Sequence, residues 1–84
     1  MQVQVRLFAV ARQIIGTESI KVNLAKDATV ADLRRAIEQQ HPAIASLLPR
    51  MMIAVGSEYA DDFQRITEGC ELAVIPPVSG GCDG

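Results

Sequence analysis

The residues best placed to take part in chemistry lie near the C-terminus, where positions 75–84 read IPPVSGGCDG. Pro76 and Pro77 each hold φ near −65° and favour an extended, polyproline-like stem. A stem ordered in advance loses less entropy when it enters a partner's channel. Val78 and Ser79 are small. Gly80 and Gly81 have no Cβ, so a narrow pocket can close around the backbone and reach the Gly81 carbonyl. Such a terminus suits chemistry performed on a carboxyl carbon by another protein. The plainer reading is a glycine-rich end with no role. A Gly-Gly pair alone says little, but one carried on a proline-stiffened stem after a final strand is a more specific pattern.

Other candidate groups are sparse. His41 is the single histidine and is followed by Pro42, which reads as a helix-end surface residue. Asp61 and Asp62 could form a carboxylate pair for a metal or an acid–base step, but side by side in a polar connector they read first as a solvated turn. Cys70 precedes the last strand and reads as a small, partly buried apolar residue. Cys82, after the glycines, is expected to be an exposed thiol, and no neighbour in sequence would lower its pKa. No phosphate-cradling glycine loop, Ser-x-x-Lys or Gly-x-Ser-x-Gly occurs. A self-contained active site needs converging polar groups, and none is legible.

Composition bounds the classes. Eighty-four residues make one small domain, able to bury roughly two-thirds of its unfolded surface at most. Hydrophobic residues at 49% are enough for that core, and with no tryptophan the packing must be mainly aliphatic. A net charge of −2 argues against nucleic-acid binding, which needs a basic stripe. No apolar run is long enough for a membrane helix, and the start MQVQVRLFAV is not a secretory signal. Two cysteines make neither a disulfide framework nor a usual zinc set. A reduced, cytoplasmic setting is expected.

The elements that must carry the tail follow from periodicity. QVQVRLFA alternates, with Val3, Val5, Leu7 and Ala9 on one face and Gln4, Arg6 and Phe8 on the other. VARQIIG predicts a helical turn capped by Gly16. SIKVNL predicts a second strand with Ile20, Val22 and Leu24 inward, paired with the first as a hairpin. ATVADLRRAIEQQHP predicts the main helix. Thr29 is its N-cap, Asp32 completes a capping box and Val30, Leu33 and Ile37 form the apolar stripe, with Ala36 and Gln40 at its margin; Arg34, Arg35 and Glu38 face water. AIASLLP reads as a short turn, and MMIAV and GSEYA as two more strands. DDFQRITEG reads as a connector plugged inward by Phe63 and Ile66. Gly69 leads into a last strand, CELAVIPPV, in which Leu72 and Val74 alternate with Ala73 and Ile75. A mixed sheet of four to five strands, with one main helix across one face, gives an α+β layer pair. The preferred closure is a β-grasp sheet with the first and last strands as parallel central neighbours. The domain is expected over 1–78 and a flexible tail over 79–84.

VRLFAVARQIIGTESIKVNL, ATVADLRRAIEQQHP and EGCELAVIPPVSGG together resemble the molybdopterin synthase small-subunit family of ubiquitin-like, β-grasp sulfur carriers, over almost all of residues 3–81. The resemblance implies a non-catalytic sulfur donor, with the active site on the large subunit. It implies that a ubiquitin-activating-type adenylyltransferase uses ATP to adenylate Gly81. A thiocarboxylate then forms there and donates sulfur to cyclic pyranopterin monophosphate. Gly80 would be the essential neighbour, and Pro76, Pro77, Val78 and Ser79 the inserted stem. Phe8, Tyr59 and Ile75 would dock both partners from the open sheet face. No bound cofactor, metal, nucleic acid or membrane is expected.

One feature departs from that family's pattern. Gly81 is joined to Cys82, and only a free carboxylate can be adenylated. Removal of Cys82-Asp83-Gly84 by a protease is the leading expectation. An extension that blocks function, or an N-to-S acyl shift at Cys82, are the other readings. Alternative roles are a carrier for cysteine, thiamin or tRNA thiolation, a ubiquitin-like protein modifier, and an inert β-grasp interaction module.

Overall fold

A computed structural model describes residues 1–76 of the chain. In order, it contains β1 (Gln2–Leu7), α1 (Ala9–Ile15), β2 (Ser19–Asn23) and α2 (Val30–Gln40). Two 3₁₀ turns follow, Pro42–Ile44 and Leu48–Arg50, and then β3 (Met52–Val55), β4 (Glu58–Ala60) and β5 (Leu72–Ile75). The strands form one mixed sheet in the order β2-β1-β5-β3-β4. β1 and β5 run parallel at its centre, and the other neighbours are antiparallel. This is the β-grasp closure that the strand phases suggest.

One sheet face carries the core. Val3, Val5 and Leu7 of β1, Ile20 and Val22 of β2, Ile53 of β3, and Leu72 and Val74 of β5 pack against Val30, Leu33 and Ile37 of α2. Ile44 and Leu48, from the 3₁₀ turns, complete the layer from the side. Burial of this aliphatic set is the main favourable term, at roughly 25 cal/mol per Å² of apolar surface removed from water.

The start of α2 is closely specified. Asp32 N–H donates to Thr29 Oγ1 at 3.4 Å, and Thr29 N–H donates to Asp32 Oδ2 at 2.9 Å, which completes the capping box. The next orphan donors go to the connector: Val30 N–H to the Gln64 carbonyl at 2.9 Å and Ala31 N–H to the Asp62 carbonyl at 3.1 Å.

Four side chains depart from the periodicity. Ala9 does not continue β1 inward; it is exposed, opens α1, and has φ 51°. The ladder runs as far as Phe8, whose N–H donates to the Val74 carbonyl at 3.3 Å, and the chain then has to reverse at once into the helix. Phe63 is not an inward plug but 88% exposed. Its N–H is held by Asp61 Oδ1 at 2.9 Å, and the carbonyls on either side of it serve α2, so the connector docks by its backbone and Ile66 alone goes inward. Arg34 does not simply face water. Its Nε lies 2.9 Å from Asp62 Oδ1, and Nη1 donates to the Leu48 carbonyl at 2.7 Å, tying α2 to the connector and to a 3₁₀ turn. Gln40 leaves the apolar stripe and donates from Nε2 to the Lys21 carbonyl on edge strand β2 at 3.1 Å.

Candidate docking face

The sheet face opposite α2 is built by the alternate residues of the same strands. In the register, Arg6 lies opposite Ser19 of β2 on one side and Ala73 of β5 on the other. Ala73 lies opposite Ala54 of β3, and Ala54 opposite Tyr59 of β4. One further step along the sheet, Ile75 lies opposite Met52, beside Phe8. Two alanines therefore floor a trough, with Arg6 and Phe8 on one bank and Tyr59 on the other.

Phe8, Tyr59 and Ile75, expected to share a face, line one depression of about 270 Å³ together with Arg6, Ala54 and Ala73. Phe8 is 41% and Tyr59 53% exposed, whereas Ile75 is half-buried. Single exposed aromatics are ordinary, but three apolar side chains around one concavity form a patch. Arg6, Ala54 and Ala73 were not singled out by the sequence. Their strand phases carry the signal: Arg6 shares the phase of Phe8, and Ala73 that of Ile75.

The Arg6 guanidinium carbon stands 5.5 Å from the centroid of the Phe8 ring, a cation–π contact. Among the described residues, Arg12 pairs with Glu18, Arg34 with Asp62, and Arg35 with Asp32. Arg6 makes no ion pair in that set. A second depression of about 540 Å³ adjoins the first and is polar, with Gln2, Gln4, Ser19, Cys70 and Glu71 in its lining; Arg6 borders both.

The remaining candidate groups are structural. His41 caps the end of α2, its N–H donating to the Ile37 carbonyl. Asp61 and Asp62 are committed to the connector and to Arg34. Cys70 is half-buried against the core. Asp32 has its pKa lowered, first by the Thr29 N–H and then, against a smaller effect of burial, by the Thr29 hydroxyl and Arg35. Among the described residues, no cluster of His, Cys, Asp and Glu could hold a metal ion, and no helix is long and apolar enough to cross a membrane. Of the tail, Pro76 is described and half-buried, directly after β5. Pro77, Val78, Ser79, Gly80, Gly81 and Cys82-Asp83-Gly84 lie outside the described residues.

Residues 5–81 match the ThiS family. The molybdopterin synthase sulfur carrier subunit of Dictyostelium discoideum is 39% identical over 83 residues, covering 95% of this chain and 96% of its own. The crystal structure of SAMP1 from Haloferax volcanii superposes with a TM-score of 0.85 at 30% identity, over 96% of this chain and 100% of that one. A complex of subunits 1 and 2 of the molybdopterin-converting factor from Helicobacter pylori contains a chain similar to this one, with a TM-score of 0.67 at 29% identity, over 96% of this chain and 100% of that one.

Proposed function

The chain belongs to the ThiS family, and from that premise we propose that it is the sulfur carrier subunit of a molybdopterin synthase. The observation that carries the reading is the placement of the Phe8, Tyr59 and Ile75 patch beside the end of β5, the strand that leads into Pro76-Pro77 and the Gly80-Gly81 pair. A partner that grips the patch also meets the end of β5 and Pro76, the point from which the chain continues toward Gly80-Gly81. The Helicobacter pylori complex supports such a pairing.

The chemistry assigned to the tail has an ordered logic. The Gly81–Cys82 peptide bond is first hydrolysed by a protease, which frees the Gly81 carboxylate. That carboxylate attacks the α-phosphorus of ATP on the adenylyltransferase and releases pyrophosphate, which turns a poor electrophile into an acyl adenylate. Sulfur at the sulfide level (HS⁻ or its equivalent) attacks the acyl carbon, the bond to AMP breaks and AMP leaves, and the product is the thiocarboxylate, a ready nucleophile at neutral pH. Pro76, Pro77, Val78 and Ser79 carry it into the large subunit, which positions it against cyclic pyranopterin monophosphate. No cofactor is assigned to the chain itself; ATP belongs to the activating enzyme.

Intact-mass spectrometry of the chain from its native cell tests this. The expected spectrum lacks Cys82-Asp83-Gly84 and contains a fraction about 16 Da heavier than the Gly81 carboxylate, oxygen replaced by sulfur. A single mass that retains all three residues, with no protease able to free Gly81, overturns the reading. The likeness to the small archaeal modifier protein 1 of Haloferax volcanii, SAMP1, favours protein modification as the second reading. Conjugates of high molecular weight, with no thiocarboxylate, would select it.

A further inference from the structure

The candidate docking face contains a cation, Arg6, that makes no ion pair among the described residues, and the reading above gives that cation a task. Arg6 sits at the junction of the apolar trough and the polar depression. Its lateral neighbours in the register are Ser19 and Ala73, both too small to cover a guanidinium. The guanidinium carbon stands over the Phe8 ring, 5.5 Å from its centroid. A guanidinium in a cation–π contact keeps N–H donors that a carboxylate can take bidentately. The other arginines paired among the described residues hold secondary structure together: Arg34 ties α2 to Asp62, Arg35 follows Asp32 on the same helix, and Arg12 of α1 meets Glu18 just before β2.

Shape adds to charge. Arg6 and Tyr59 stand three strands apart, roughly 14 Å at the usual interstrand spacing. Between them the floor is Ala73 and Ala54, so the trough has room for one bulky apolar side chain from outside. Glu71 borders both depressions and would repel a partner carboxylate placed at its end, which sets the orientation in which an acidic group can approach.

We propose that Arg6 is a specificity-determining residue of this face, pairing with an aspartate or glutamate of the large subunit while an apolar side chain of that subunit fills the Ala54–Ala73 trough. The patch then supplies apolar contact, and Arg6 fixes the register in which the tail is presented. This rests on the sulfur-carrier reading, and the test separates the two.

The experiment is titration calorimetry of the chain ending at Gly81, the processed form, against the large subunit from the same organism, with Arg6→Gln, Arg6→Lys and Arg6→Glu beside the wild-type sequence and Arg65→Gln as a control outside the trough. Arg6 is exposed, so circular dichroism should show all variants folded. Arg6→Gln is expected to weaken binding about tenfold and Arg6→Glu about a hundredfold, the range for losing and then reversing a charge-assisted contact. Arg6→Lys should fall between Gln and wild type because an ammonium cannot make the fork. Arg65→Gln should leave binding unchanged, and added salt should weaken the wild type more than Arg6→Gln. If wild type binds and all three Arg6 variants bind within about twofold of it, well inside the effect of such a contact, the inference about Arg6 falls and the carrier reading stands. If the wild type does not bind the large subunit at all, both fall.

Discussion

Both phenylalanines of the chain present their rings to solvent, for different physical reasons. Phe8 is on the outward phase of β1, held there by its N–H bond to Val74 and by the reversal at Ala9, and its ring carries Arg6. Phe63 is outward because its backbone is occupied: Asp61 takes its N–H, and the Asp62 and Gln64 carbonyls feed the first turn of α2. A hydrophobic residue in a polar connector invites an inward assignment, and Ile66 earns it, whereas Phe63 does not. Phe63→Ser should therefore change stability by less than about 0.5 kcal/mol, as surface substitutions do. Ile66→Ala, at a site 2% exposed, should cost about 2–5 kcal/mol. Urea denaturation of the two variants beside wild type checks both; comparable losses would mean that Phe63 packs.

At the scale of the element, α2 shows how far local chemistry specifies structure. Thr29, Asp32 and the Val30, Leu33 and Ile37 stripe are legible because capping and helical period are short-range rules. The Asp62 and Gln64 carbonyls that satisfy Ala31 and Val30 are not legible, because they arrive from the connector after β4. The Asp32 carboxylate accepts the Thr29 N–H and has a lowered pKa in the fold. A carboxylate with a depressed folded pKa contributes stability above its ordinary value of 3.8, and that contribution is lost as pH falls through the folded value. Wild type should consequently melt above Asp32→Asn at pH 7, and the gap should close as the pH is taken below 3.8. A gap that is constant down to the lowest pH would remove the charged capping box from the account. Thr29→Ala should cost about 1 kcal/mol at neutral pH through the loss of the same cap.

For the whole molecule, β5 is the decisive strand. It is hydrogen-bonded to β1 on one side and to β3 on the other, and it brings Leu72 and Val74 to the core and Ala73 and Ile75 to the open sheet face. A chain stopped at Gly69 would split the sheet into the β1–β2 and β3–β4 pairs and open the aliphatic layer. It should show no cooperative thermal transition by circular dichroism, whereas the full chain should melt in one step. A cooperative melt of the truncated chain would mean that β1 and β2 with α2 form an independent unit. The same strand links fold to function, since it ends where the stem begins.

The sequence by itself determined the alternating strands, the capped helix with its buried stripe and the α+β class. Each of these depends on residues a few positions apart, whose torsions and periodicities are set locally. The tertiary structure alone decided the register in which β1 and β5, expected as neighbours, pair, that Ala73 and Ala54 meet to floor a trough between Phe8 and Tyr59, and that Arg6 borders it without an ion-pair partner among the described residues. Pairings between strands at opposite ends of the chain are selected by collective burial of the aliphatic layer, and no local rule contains them.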